Sequence, residues 1–205
     1  MNSSSVQHPP ERVICYVDGF NLYFGLRDAR LRRYYWLNVQ RLAENLLRGP
    51  QVLVQTKYFT ARISGGMRSD APTRAARLNA KRKRQSDFLE ALETLSDFNI
   101  YEGHYPAKSL RCRNCGASWR SHEEKMTDVN IATELLLDAF HNRLDTALIV
   151  SGDSDLVPPI QAVLQDFPTK RVVVAFPHGR VSEQLKQAAS AWLTIGLKKY
   201  KDSQF

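Results

Sequence analysis

Residues 13–21 read VICYVDGFN, an apolar run that ends in Asp18 and continues through Gly19 and Phe20 to Asn21. An apolar run without polar alternation is typical of a strand buried on both faces, as in parallel sheets. Residues 146–155 show the same arrangement, because the apolar run TALIV is followed by SGDSD. Two buried strands that each lead into aspartate predict the centre of a parallel sheet.

Predicted helices and strands alternate along the rest of the chain. Residues 39–47 and 127–140 carry apolar residues at helical spacing, with Thr127 as the expected N-cap of the second helix, and residues 74–95 form a long helix candidate. This alternation predicts a three-layer, Rossmann-like α/β domain with a mainly parallel sheet of five or six strands. We expect a disordered lead-in at residues 1–11, one domain over 12–197 with an irregular cysteine-bearing insert at 106–122, and a basic tail at 198–205.

Composition limits the classes of protein to which this chain can belong. The chain contains no run of about 18 apolar residues, which a membrane-spanning helix needs, and its first ten residues lack the apolar core of a signal peptide. We therefore expect a cytoplasmic protein without a membrane partner. The net charge of +8 and the pI of about 9.5 favour a polyanionic partner, although charge alone is weak evidence.

Four aspartates are expected to meet at one edge of the sheet. Ligands of open parallel sheets bind beyond the carboxyl ends of the strands, where the strand order reverses. Asp18, Asp153 and Asp155 follow the two apolar strands, and Asp128 begins a helix that can face the same edge. Each acid alone has an ordinary alternative as a turn or capping residue, but their coincidence at these positions favours a site.

Clustered carboxylates repel one another, so the cluster needs either a bound cation or protonation. Ligand sets made only of oxygen favour Mg²⁺ or Mn²⁺ over Zn²⁺. Such a site can polarise a phosphodiester and ionise a bound water molecule. Asn21 is expected to hydrogen-bond to a water molecule or a phosphate oxygen there.

Three blocks of the sequence resemble a known family. YVDGFNLYFGL (16–26), EEKMTDVNIATELLLDAF (123–140) and SGDSDLVPPI (151–160) are similar to the signature blocks of NYN domains, the LabA-like branch of the PIN-like nucleases. The resemblance covers residues 13–195 and implies a PIN-like fold, dependence on Mg²⁺ or Mn²⁺, and ribonuclease chemistry. It places the family's acids on Asp18, Asp128, Asp153 and Asp155, and its polar partner on Asn21. The cysteine-bearing insert departs from the pattern.

Basic residues recur with helical spacing in the long helix candidate. Arg74, Arg77, Lys81 and Arg84 share one helix face with no acid between them. We expect this face to contact a phosphate backbone, and its alternative is a solvated helix surface. Lys125, next to the acids, is expected to offset developing charge, and Arg180 is a further candidate for contact with nucleic acid.

Cys112 and Cys115 have the CxxC spacing of half a zinc site. His104 and His122 flank the pair and are candidates for completing a structural Zn²⁺ site. Two reduced surface thiols without a metal are the alternative, since one CxxC is only half of a motif.

The function expected from these observations is that of a metal-dependent endoribonuclease acting on single-stranded or structured RNA. Two alternatives stay open: an RNA-binding regulator with a weak or inactive site, and another metal-dependent phosphohydrolase.

Overall fold

The structure is a computed structural model that describes residues 9–63, 72–103, 107–122 and 126–205, with the backbone only for 72–74, 107–110 and 119–122. The described chain contains eight strands. They are β1 (Glu11–Asp18), β2 (Gln51–Ala61), β3 (Phe98–Gly103), β4 (Ala107–Arg111), β5 (Ser118–His122), β6 (Thr146–Val150), β7 (Arg171–Phe176) and β8 (Ala191–Thr194). Six of them form one sheet in the order β3-β2-β1-β6-β7-β8, and every pairing within it is parallel.

Helices cover both faces of this sheet and create three layers. One layer contains α1 (Gly19–Asp28), α2 (Val39–Leu46), α3 (Pro72–Glu93) and α7 (Leu197–Asp202). The other contains α4 (Thr127–Phe140), α5 (Val157–Asp166) and α6 (Glu183–Ala188). The predicted three-layer α/β architecture with a parallel sheet is confirmed, and the sheet has six strands.

The two faces of β1 pack against different layers. Val13, Cys15 and Val17 belong to the core on the α1 side, whereas Ile14 and Tyr16 belong to the core on the α4 side. Successive side chains of a strand point to opposite faces, so a strand buried on both sides must be apolar at every position. This is the physical reason for the unbroken VICYV run.

The order of the strands reverses between β1 and β6. The chain builds outward from β1 through β2 to β3, and then returns to the other side of β1 and continues through β6, β7 and β8. Val17 is in register with Val150, so the carboxyl ends of the two central strands lie side by side. The expectation that the two apolar strands are neighbours is confirmed, and the cleft beyond them is where such sheets bind ligands.

The cysteine-bearing insert is regular, and the prediction of an irregular segment was wrong. β4 and β5 form an antiparallel two-stranded ribbon whose register runs from Ala107 opposite His122 to Arg111 opposite Ser118. Its sequence lacks the apolar alternation that indicates a strand packed on a core, because this ribbon forms a two-stranded sheet of its own.

The structure also differs from the prediction at both ends of the domain. Residues 198–205, predicted as a basic tail, include most of α7 and pack against α2, with Tyr200 and Ser203 fully buried. At the other end β1 begins at Glu11, so the last residue of the predicted lead-in belongs to the sheet. Residues 1–8 lie outside the described residues.

Within the described part of the chain, every helix is too short or too polar to cross a membrane.

Candidate metal centre

Asp18 ends β1 and begins α1, and both of its carboxylate oxygens accept hydrogen bonds. Oδ1 accepts the backbone N–H of Asn21 at 2.9 Å, which caps the first turn of α1. Oδ2 accepts the hydroxyl of Ser151 at 2.9 Å, which comes from the loop after β6. The residue is only 4% exposed. These bonds hold the carboxylate at the carboxyl edge of the sheet.

The loop after β6 is fixed to the end of β1 by further hydrogen bonds. Asn21 Oδ1 accepts the backbone N–H of Gly152 at 3.0 Å, and Ser151 Oγ accepts that of Asp153 at 3.1 Å. Asp153 Oδ1 in turn accepts the N–H of Asp155 at 3.0 Å. Asn21 therefore joins the first turn of α1 to the loop after β6 through its side-chain carbonyl oxygen, a positioning role that the sequence did not indicate.

Gly152 permits a close approach between two loops. A Cβ atom at this position would lie 1.9 Å from the carbonyl oxygen of Arg180, far inside any van der Waals contact. Any side chain would push apart the loop that carries Asp153 and the loop after β7. Arg180 therefore lies beside the acids by virtue of its backbone, while its guanidinium pairs with Asp28.

Asp128 enters the cluster from the first turn of α4. The expectation that Thr127 caps this helix was wrong, because Met126 occupies the N-cap with a left-handed φ of 76° and no side-chain cap forms. Thr127 is instead buried inside the helix, and its Oγ has no hydrogen-bond partner among the described residues. The left-handed turn before α4 directs the helix start toward the ends of β1 and β6.

Three of the four predicted acids converge. Asp18, Asp128 and Asp153 each offer a carboxylate oxygen, and these oxygens all lie within 4.8 Å of one another. Asp155 is exposed on the short 3-10 turn Ser154–Leu156 and lies outside this triplet. Among the described residues, none of the three acids forms an ion pair, so their charge is left uncompensated there.

Burial and mutual repulsion act on these carboxyl groups. Burial raises the pKa of Asp18 to about 6, against the lowering effect of its hydrogen bonds from Asn21 and Ser151, and the neighbouring acids raise it further. The pKa of Asp128 is also raised, by burial first and then by the charges of Asp153 and Asp155. Asp155 is thus close enough to act on the cluster although it is not part of the triplet.

The raised pKa of Asp18 predicts a pH-dependent stability of the metal-free protein. The folded state prefers protonated Asp18, so this stabilisation is complete below the reference pKa of 3.8 and is lost as the pH rises to about 6. The difference between a pKa of 3.8 and one of about 6 for Asp18 corresponds to about 3 kcal/mol in the free energy of unfolding. We expect urea unfolding of metal-free protein to show the free energy of unfolding falling across this range, and Asp18→Asn to flatten that fall.

The ion pair of Asp145 provides an internal comparison for this measurement. The hydrogen bond from Arg12 lowers the pKa of Asp145 to about 2. The contribution of Asp145 to the free energy of unfolding is therefore gained between about pH 2 and 4, below the pH range in which the contribution of Asp18 is lost. An Asp18→Asn variant with the same slope as the wild type between about pH 4 and 6 would contradict the assignment.

The donor set fits a hard divalent cation. Three carboxylates supply only oxygen ligands, the preference of Mg²⁺ and Mn²⁺. Burial is the main cause of the raised pKa values of Asp18 and Asp128, and a cation at the centre of the acids would remove the repulsion that adds to it.

Comparison with known proteins supports this interpretation. The profile of the NYN domain family matches residues 12–196, which is most of the chain. The chain belongs to the NYN domain family. It is also similar to the 6-hydroxy-3-succinoylpyridine 3-monooxygenase HspA of Pseudomonas putida, with 32% identity over 75% of this chain and 56% of that protein. The chain thus spans little more than half the length of this curated relative.

One solved structure has a similar fold. The crystal structure of a protein of unknown function from Vibrio parahaemolyticus superposes with a TM-score of 0.61 and 20% sequence identity, covering 97% of this chain and 99% of that one. At this level of identity the likeness concerns the fold alone.

The remaining predicted site residues are distributed around the NYN domain. Arg77, Lys81 and Arg84 are exposed on α3. Arg74 lies in the same helix, but its side chain is outside the described set, as are His104 and Lys125.

Sequence reasoning missed two residues that organise the site, Ser151 and Gly152. The signal for Ser151 was a small polar residue directly after a fully apolar strand. The signal for Gly152 was a glycine between that serine and an acid, which is typical of a close backbone approach.

Proposed function

We propose that this NYN domain is a metal-dependent endoribonuclease that hydrolyses RNA phosphodiester bonds. The proposal depends chiefly on one observation: three carboxylates from three separate elements converge within 4.8 Å at the strand-order reversal of an NYN fold. A divalent cation bound there supplies Lewis-acid activation of the phosphodiester and of a water molecule.

The residues around the acids have distinct roles in this proposal. Asp18, Asp128 and Asp153 hold the cation, and Ser151 orients Asp18 through the 2.9 Å hydrogen bond to Oδ2. Asp155, exposed beside Asp128, is placed to hold a water molecule of the metal or substrate. Lys125 stays a proposed contact to developing negative charge.

A basic helix extends past the edge of the sheet that carries the acids. Arg82 Nε donates to the carbonyl of Ile63 at 3.2 Å, which places the middle of α3 beside the carboxyl end of β2. Phe59 of β2 is in register with Asp18, so this is the acid-bearing edge. The part of α3 before Arg82 therefore projects beyond the edge, over about ten residues or ~15 Å. Arg77 and Lys81 lie on this projection, where a polymer leaving the acids can pass.

An assay with three substrates tests the proposal. The protein is incubated with labelled RNA, labelled DNA and a phosphate monoester, each with Mn²⁺ and with EDTA. We expect Mn²⁺-dependent cleavage of RNA, including a circular RNA, which has no ends and is open only to an endonuclease. Hydrolysis of the monoester alone would favour a phosphatase, and RNA binding without cleavage would favour an inactive regulator.

The basic face of α3 predicts a salt dependence of RNA binding. Each phosphate contact with a single strand contributes about 0.7 to the slope of log affinity against log salt. Arg77→Gln/Lys81→Gln should therefore flatten this slope by about 1.4 and weaken binding similarly across RNA sequences. Binding is measured with Ca²⁺ in place of Mg²⁺, a substitution intended to suppress cleavage.

The matched control for this variant is Arg48→Gln/Arg171→Gln. Both of these arginines are exposed at the amino ends of strands, on the opposite edge of the sheet. The control also removes two positive charges but should leave the slope of log affinity against log salt almost unchanged. Equal effects of the two double variants would mean that only net charge matters and that α3 is an ordinary solvated helix.

A second candidate function comes from the Pseudomonas relative, whose name describes oxygenation of a hydroxypyridine. The 32% identity to it favours testing the same chemistry here. Oxygen uptake in the presence of 6-hydroxy-3-succinoylpyridine and a reduced nicotinamide or flavin is the measurement. Uptake that persists in an Asp153→Asn variant would assign that activity to a different site.

A further inference from the structure

The two-stranded ribbon β4–β5 carries a pair of cysteines at its turn. Cys112 and Cys115 lie directly beyond the last ribbon pair, Arg111 opposite Ser118. Both thiols are free, with Cys115 exposed and Cys112 half-buried. Neither belongs to a hydrophobic core or to the acid cluster, so the function proposed above leaves the pair without a role.

The backbone of this turn is organised around the sulfur of Cys112. The N–H of Cys112 donates to the carbonyl of Ala117 at 2.8 Å, and the N–H of Gly116 donates to the carbonyl of Cys112 at 3.0 Å. Gly116 has a φ of +71°, which favours glycine. The backbone N–H groups of Cys115 and Asn114, followed by the Cys115 side chain, hydrogen-bond to Cys112 and lower the pKa of its thiol. The turn therefore places hydrogen-bond donors around the sulfur of Cys112.

A positive side chain lies beside the same turn. Arg111 Nε donates to the carbonyl of Gly116 at 3.3 Å, which holds the guanidinium against the residue that follows Cys115. Arg113 lies within the turn and is exposed. Thiolates around a metal carry excess negative charge, and these arginines are placed to offset it.

The described chain supplies only two ligands to such a metal. A structural Zn²⁺ takes four, in tetrahedral geometry. In the part of the chain that the structure describes, the acid triplet is the only group of three or more metal-binding side chains that lie together. Among the described side chains, the cysteine pair therefore supplies half of a tetrahedral site.

The ribbon register argues against the expectation that His122 completes this site. His122 lies opposite Ala107, at the base of the ribbon, whereas the cysteines are at its tip. Five residues of extended strand separate the two ends by about 17 Å, more than a histidine and a thiolate can span across one metal. His104 precedes Ala107 and lies outside the described residues.

We propose that the Cys112–Cys115 turn binds Zn²⁺ together with the same turn of a second copy of this chain. One Zn²⁺ then joins two ribbons through four thiolates, and the exposed tip of the ribbon leaves room for a partner tip. The site is separate from the acids and does not depend on the nuclease proposal.

The test measures metal content and mass together. The full chain, purified under reducing conditions without chelator, is analysed for zinc and for molecular mass by light scattering. We expect about one zinc per two chains and a dimer that a zinc chelator converts to monomer. Titration of the zinc-free protein with Co²⁺ should give the absorption of tetrahedral thiolate coordination and saturate at the same ratio.

Two variants separate this site from other causes of zinc binding or dimer formation. Cys115→Ser should reduce zinc to background and give a monomer with an unchanged far-ultraviolet circular dichroism spectrum. Asn114→Ser, in the same turn but without a ligand side chain, should keep zinc and dimer, as should Asp153→Asn. Zinc at background in the wild type, one zinc per chain on a monomer, or a dimer that survives both chelation and Cys115→Ser would overturn the proposal.

Discussion

Asp18→Asn and Asp153→Asn should each reduce metal-dependent RNA cleavage by about 100-fold or more. The bound cation supplies several kcal/mol of transition-state stabilisation, and each ~1.4 kcal/mol is about a factor of ten in rate. Both residues offer oxygens to the same point in the structure, so the loss of either should weaken the metal. Rates are measured under single-turnover conditions over a range of Mn²⁺ concentrations, so that reduced affinity is separated from reduced chemistry.

The control for these variants is Asp166→Asn. Asp166 is an exposed acid at the far end of α5, whose first turn lies next to the acid cluster. The same charge is removed, but cleavage should stay at the wild-type rate. Each variant must also be folded, and Asp18→Asn is expected to be at least as stable as the wild type without metal at neutral pH, because burial disfavours the charged form of Asp18. Wild-type cleavage by a folded Asp18→Asn or Asp153→Asn variant would refute the proposed site.

Lys57→Met should destabilise the fold strongly, because it removes a buried ion pair. Lys57 is 2% exposed, and its ammonium lies 2.7 Å from Glu134 and 2.5 Å from Asp138 of α4. Asp138 is fully buried and also accepts the hydroxyl of Tyr16 at 2.5 Å. Lys57→Met leaves Glu134 without its ion pair and leaves Asp138 with only the exposed Arg143 as a cationic partner. Loss of one partner of a buried ion pair costs about 3–5 kcal/mol. Urea unfolding at neutral pH measures this loss.

A second variant distinguishes the loss of the ion pair from the loss of packing. Lys57→Met/Asp138→Asn removes the buried charge of Asp138 together with the lysine, so it should recover part of the stability lost in the single variant. Lys83→Met is the control, because Lys83 pairs with Asp87 on the exposed side of α3 and should change stability little. A single Lys57→Met variant as stable as the wild type would show that the buried ion pair contributes nothing.

This buried network also connects stability to the metal centre. Tyr101 of β3 donates to Glu134 at 2.9 Å, and Arg143 donates to Asp138 at 3.2 Å, so the network fixes α4 against the sheet. Asp128 lies in the first turn of the same helix. We expect Lys57→Met to weaken Mn²⁺ binding as well, through the position of α4.

Local sequence determined the central strands, helix α4 and the candidate acids. Unbroken apolar runs such as VICYV are needed only where both faces of a strand are buried, so they identified the central strands before any contact was known. Aspartates directly after such strands must lie at the carboxyl edge of the sheet. Apolar residues at helical spacing predicted α4, and Asp128 lies in the first turn of that helix.

Tertiary structure decided which of those acids meet. Asp153 and Asp155 are two residues apart and equally acidic in the sequence, yet Asp153 joins the triplet and Asp155 is exposed. The difference arises because Ser151 accepts the N–H of Asp153 while its own hydroxyl donates to Asp18. That hydrogen-bond chain crosses 133 positions of sequence, so no local pattern contains it.

The buried lysine shows the same division between sequence and structure. Within QVLVQTKYFTA, Lys57 resembles the solvent-facing residue of an ordinary strand. It is buried because Glu134 and Asp138, 77 and 81 positions further along the chain, reach it from a helix that covers this face of the sheet. The spacing of apolar residues indicates whether a helix or strand has an apolar side, and the sequence alone determined this. Which polar side chains find partners inside the protein depends on how distant elements pack, and only the folded structure decides it.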